Sequence, residues 1–78
     1  MSKKKFIWQF NGYDSLKIAK HQMNHLKEFF EREKIEIQET GTENINEFVS
    51  ISYVIACEKF EKTIKNSLKP HFIVATSN

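Results

Sequence analysis

Phe48-Val49-Ser50-Ile51-Ser52-Tyr53-Val54-Ile55-Ala56-Cys57 is a run of β-branched, aromatic and small residues with no Gly or Pro inside it. Its period-two pattern reads as a strand. Val49, Ile51, Tyr53 and Ile55 share one side; Phe48, Ser50, Ser52 and Val54 share the other. The first set is the larger and more apolar, so it is expected to face the core.

Working outward from this strand, the rest of the chain divides into short periodic segments. On the amino-terminal side, Thr40 to Asn46 is polar and reads as a turn region, and Ile35-Glu36-Ile37-Gln38-Glu39 alternates like a strand with Ile35 and Ile37 inward. Before it, Leu16, Ala19, Met23, Leu26 and Phe30 step by three and four residues, widened by Ile18 and Phe29. That spacing predicts a helix of about five turns with one buried face. Asp14 or Ser15 stands where a short side-chain oxygen can cap its first turn. Lys5 to Phe10 alternates again, with Phe6, Trp8 and Phe10 on one side and Lys5, Ile7 and Gln9 on the other, and Asn11-Gly12 closes it as a turn. On the carboxyl side, Cys57, Phe60, Ile64 and Leu68 are spaced for a second, short helix that Pro70 stops. His71 to Thr76 forms the last strand.

The order β-α-β-β-α-β defines an α+β, ferredoxin-like sandwich: a four-stranded antiparallel sheet with both helices on one face. The helices require one apolar sheet face. The expected inward set is Phe6, Trp8, Phe10, Ile35, Ile37, Val49, Ile51, Tyr53, Ile55, Phe72 and Val74. Residues 1–78 then make a single domain, with 1–4 as a flexible basic amino terminus.

Composition narrows the function classes. The chain has 78 residues, 40% of them hydrophobic, with seven Phe, two Gly and one Pro, which suits a folded chain and not a disordered one. A chain this short buries only about 60% of the surface its unfolded form exposes, so the core is thin. A single cysteine, Cys57, excludes an internal disulfide. No apolar run reaches the ~18 residues of a membrane helix, and the apolar stretch after Lys3-Lys4-Lys5 is too short for an export signal. No membrane partner and a cytoplasmic location are therefore expected. Net charge is +2 but unevenly spread: residues 1–34 carry +4, residues 35–58 carry −5 and residues 59–78 carry +3.

Few residues suggest chemistry. His21 and His25 lie four apart with Glu28 on the same helix face, a metal-ligand spacing. Gln22 stands where a zinc protease needs Glu, and Lys17 and Lys20 flank the pair, so it reads as a solvated polar face and no metal is assigned. Cys57 near a helix start has only His71 as a plausible base and reads as a buried small residue. No catalytic residue and no cofactor are assigned, and the chain is expected not to be an enzyme.

The Asn11-Gly12 turn, the helix after it, the stretch Phe48 to Ala56 and the Glu-rich start of the second helix together resemble the YbeD-like family, small bacterial proteins with an ACT-like sandwich. The resemblance implies a regulatory, non-catalytic module and carries over no site residue.

Three surfaces are candidates for binding. The open sheet face is expected to show an apolar strip of Ile7, Phe48, Val54 and Ile73, suited to a homodimer or a target protein. The helices present Lys17, Lys20 and Lys27, then Lys59, Lys62 and Lys65. The second-strand hairpin presents Glu36, Glu39, Glu43 and Glu47. The expected function is that of a small regulatory or inhibitory protein acting by protein–protein binding, of a type a phage or mobile element uses against a host nuclease or CRISPR system. The alternative is a nucleic-acid-binding module using the basic amino terminus and the helix lysines.

Overall fold

The computed structural model describes residues 2–76. Its elements are β1 (Lys3–Asn11), α1 (Ser15–Arg32), β2 (Ile37–Asn46), β3 (Val49–Cys57), a 3-10 turn (Glu58–Phe60), α2 (Glu61–Leu68) and β4 (Phe72–Ala75). All strand pairs are antiparallel, in the order β2-β3-β1-β4, and the helices close one face. The ferredoxin-like α+β sandwich expected from the sequence is the fold.

Two boundaries differ from expectation. Lys3 and Lys4 are not a flexible extension but the first residues of β1, opposite Cys57 and Ala56 of β3. Lys4 lies on the helix side, where its Nζ meets Glu61 Oε1 of α2 at 2.9 Å. Thr40 to Asn46 is not a turn but most of β2, paired with β3 from Val54 to Val49. Gly, Asn and Glu are poor strand formers, and here the ladder to β3 overrides that preference. The actual hairpin turn is Glu47-Phe48, where Asn46 Oδ1 accepts from Phe48 N at 2.8 Å.

Both helices end at a left-handed lysine, Lys34 or Lys69, in a conformation that glycine more commonly fills. At the end of α1, Ile35 N donates to Phe30 O at 2.9 Å and Lys34 takes the left-handed conformation (φ 56°). This C-terminal motif swings Ile35 back under the helix and buries it. In α2, Lys69 is left-handed and Pro70 follows. Trp8 Nε1 donates to the terminal Leu68 carbonyl at 2.8 Å, tying the helix end to β1. At the start of α1, Asp14 occupies the capping position without a side-chain cap. Ser15, the other expected cap, turns inward instead, with its Oγ 2.9 Å from Ser50 Oγ.

The core consists of Phe6, Trp8, Met23, Leu26, Phe30, Ile35, Val54, Ala56 and Ile64, with Phe10, Ile37, Phe60, Leu68 and Ile73 packed against it. The parity of β1 is as expected; that of β3 is reversed. Ser50, Ser52, Val54 and Ala56 are buried under α1, while Val49, Ile51, Tyr53 and Ile55 lie on the open face. Register gives the reason. Phe6, Trp8 and Phe10 stand directly opposite Val54, Ser52 and Ser50, and facing residues of an antiparallel pair project to the same side. Two fully enclosed aromatics from β1, with Leu26 and Phe30 from α1, fill the layer, leaving room for only small side chains on β3. Ala19 and Ser15 of α1 are correspondingly small.

Burying serines is tolerated because their hydroxyls are satisfied. Ser52 Oγ donates to Ala19 O at 2.8 Å, and Asn44 Nδ2 donates to Ser50 Oγ at 2.9 Å. Among the described residues no buried side-chain N or O lacks a partner. In β4 the parity is also reversed: Ile73 faces the core beside Phe6, while Phe72 and Val74 are exposed.

Candidate functional site: the open sheet face

The reversed parity gives the open face a composition different from the expected strip. Val54 is fully buried and Ile73 is packed against the core, so neither belongs to it. Phe48 sits in the β2–β3 turn, where its ring meets that of Tyr13 at 4.8 Å between centroids, at the end of the sheet. Of the four residues expected, Ile7 alone lies within this face.

The residues that do form it follow from the pairing. Across one level of the sheet run Phe72, Ile7, Tyr53 and Gly41; across the next run Val74, Lys5, Ile55 and Glu39; Gln9, Ile51 and Glu43 make a third. Phe72 is 52% exposed and Val74 44%. Ile7, Ile51, Tyr53 and Ile55 are half-buried. The apolar centre is therefore contiguous from β4 to β3, with the acids of β2 along one margin and Lys5 of β1 within it. The larger apolar side of β3 was visible in the sequence. The signal that places it outward is the pairing of Ser50 and Ser52 with two of the largest residues in the chain.

Tyr53 organises the β2 side. Its ring lies on Gly41, where an added Cβ would stand 2.9 Å from Oη and 3.1 Å from Cζ. Only glycine admits the ring here, an aromatic covering a bare stretch of strand. The Tyr53 hydroxyl donates to Glu39 Oε2 at 3.0 Å, and Lys5 Nζ stands 4.5 Å from the ring centroid. The hydrogen bond to Glu39, then burial, then the charges of Glu39 and Glu43 raise the phenol pKa above its usual range. Each disfavours a negative charge on the ring oxygen.

The other sequence candidates are dispersed. Lys17, Lys20 and Lys27 on α1 and Lys59, Lys62 and Lys65 around α2 are exposed, with Glu28, Glu31, Glu58 and Glu61 interspersed on the same elements. Of the acidic set, Glu39 and Glu43 lie on the open face, Glu36 precedes β2 and Glu47 is in the turn. Cys57 is a half-buried free thiol, not the enclosed residue expected. It lines a surface cleft with Lys3, Lys34, Glu36 and Lys59. His71 holds β4 to β1, accepting from Gln9 N on Nδ1 at 2.8 Å and donating its own N–H to Ile7 O. No helix among the described residues is long and apolar enough to cross a membrane.

No family model, curated protein or solved structure matches this chain.

Proposed function

We propose that this chain is a small regulatory or inhibitory protein that acts by protein–protein association, and that it associates through the open sheet face with a second copy of itself. The supporting observation is the contiguous apolar centre of Ile7, Ile51, Tyr53, Ile55, Phe72 and Val74 on a face that no element among the described residues covers. A patch of this kind on a small domain marks an interaction surface.

The face is also self-complementary. A two-fold axis parallel to the strands, between β1 and β3, lays β3 of one copy over β1 of the other. Tyr53 then faces Ile7, and Lys5 descends beside Glu39 of the opposite copy. The alternative two-fold axis, across the strands at the level of Gly41, would set β2 against β2 and bring Glu39 of one copy over Glu43 of the other. Opposite charges fix this register by excluding the wrong one. The same features favour protein over nucleic acid. The carboxylates of Glu39 and Glu43 on the face repel phosphate.

Size exclusion with light scattering tests the proposal. The wild-type chain is expected to run as a dimer, and Ile7→Asp and Phe72→Asp as monomers with unchanged far-ultraviolet circular dichroism. A wild-type monomer at several hundred micromolar, or a dimer that survives both substitutions, would refute it.

A further inference from the structure

His21 and His25 stand one turn apart on the outer surface of α1, an uninterrupted helix of 18 residues. Spacing alone places two histidines on one face; it does not say how the rings are turned. Here they converge. Their Nε2 atoms are 3.1 Å apart, and the rings meet edge to face with centroids 4.7 Å apart and planes at 75°. In the neutral pair, one Nε2–H donates to the lone pair of the other.

The same separation is that of two ligands on one metal ion. Tetrahedral zinc with Zn–N bonds of ~2.0–2.1 Å sets its nitrogens ~3.3–3.4 Å apart, and a square-planar ion with similar bonds sets them ~2.9 Å apart. The observed distance lies between the two, so the nitrogens already stand at ligand separation, and side-chain rotation must turn both lone pairs onto one ion. Both rings are exposed, so an ion reaches them without any opening of the fold. Behind the pair, Glu28 Oε1 lies 3.8 Å from His25 Nδ1. At that separation, beyond hydrogen-bond reach, Glu28 places a negative charge beside the pair without fixing the tautomer of either ring. Among the described residues no third His, Cys, Asp or Glu joins the pair.

We propose that His21 and His25 form a bidentate site for a divalent transition-metal ion, bound through both Nε2 atoms with the remaining positions open to water. Imidazole donors select copper, nickel and zinc over magnesium and calcium, with copper held most tightly. Lys17 and Lys20 nearby oppose the ion's charge, but as exposed side chains they do so through screening solvent.

The test is calorimetric titration of the tag-free chain with Cu2+ and with Zn2+, in a Cys57→Ser background that removes the thiol. Imidazole nitrogen resonances are followed in parallel. The expected result is saturable binding with Cu2+ tighter than Zn2+, and shifts at His21 and His25 but not at His71. Because the second ring binds an ion already tethered by the first, His21→Gln and His25→Gln should each weaken binding by roughly 100-fold. Both side chains are exposed, so neither substitution should alter the circular dichroism of α1. Affinity within threefold of the parent in both variants, or shifts confined to His71, would overturn the proposal.

Discussion

Replacing Ser52 by Val separates the two possible parities of β3 by the sign of its effect. On an open sheet face the change would be neutral or stabilising, because Val is the better strand former and adds apolar area. In this structure Ser52 is fully buried, opposite Trp8 and beneath Ala19. Its Oγ lies 2.8 Å from the Ala19 carbonyl oxygen, a distance that a hydrogen bond permits and a methyl group does not. Valine would forfeit that bond, worth about 1 kcal/mol, and force two methyl groups into a filled layer at a cost of about 1–3 kcal/mol. The sum is a destabilisation of about 2–4 kcal/mol, a large part of the ~4–12 kcal/mol that holds a domain of this length together. At about 4–8 °C per kcal/mol, the midpoint of thermal unfolding should fall by at least ~8 °C. Urea denaturation followed by Trp8 fluorescence should show the loss as a lower midpoint with unchanged slope. Ser52→Ala keeps the volume and should cost no more than about 1 kcal/mol. An unchanged or raised midpoint for Ser52→Val would refute the buried serine layer, and the composition of the open face would fall with it.

Two further outcomes follow from single contacts. Gly41→Ala sets a methyl group 2.9 Å from Tyr53 Oη, so the ring should lift off β2 and lose Glu39. The ultraviolet titration of Tyr53, read as the difference from Tyr53→Phe, should then move back toward the ordinary tyrosine range, as it should in Glu39→Gln. The second concerns Lys4, whose pKa is raised by its hydrogen bond to Glu61 and by the charge of that carboxylate. A raised pKa in the folded state means the stabilisation is complete below the unfolded-state lysine value and is lost as pH rises through the folded one. The stability difference between wild type and Lys4→Gln should therefore be constant near neutrality and vanish on the alkaline side of ~10.4; urea midpoints across that range check it.

Much of this molecule is determined within short windows of its sequence. The three- and four-residue steps from Leu16 to Phe30 can form only an amphipathic helix. Pro70 cannot continue one, and Phe6 and Trp8 against Lys5 and Gln9 leave no doubt which side of the first strand is enclosed. Those windows suffice for the order of elements and hence for the sandwich. They do not suffice for β3, because both of its sides can be buried: one offers Val49, Ile51, Tyr53 and Ile55, the other Ser50, Ser52, Val54 and Ala56. Local hydrophobicity favours the first. Tertiary structure chose the second, because a finite layer already holding Phe6, Trp8, Leu26 and Phe30 has volume left only for small side chains, and the α1 backbone can satisfy their hydroxyls. The same limit turned Tyr53 and Ile55 outward, beside Phe72 and Ile7. The apolar face offered to a partner is thus the residue of a packing constraint that acts between segments far apart in the chain, and no single segment carries it.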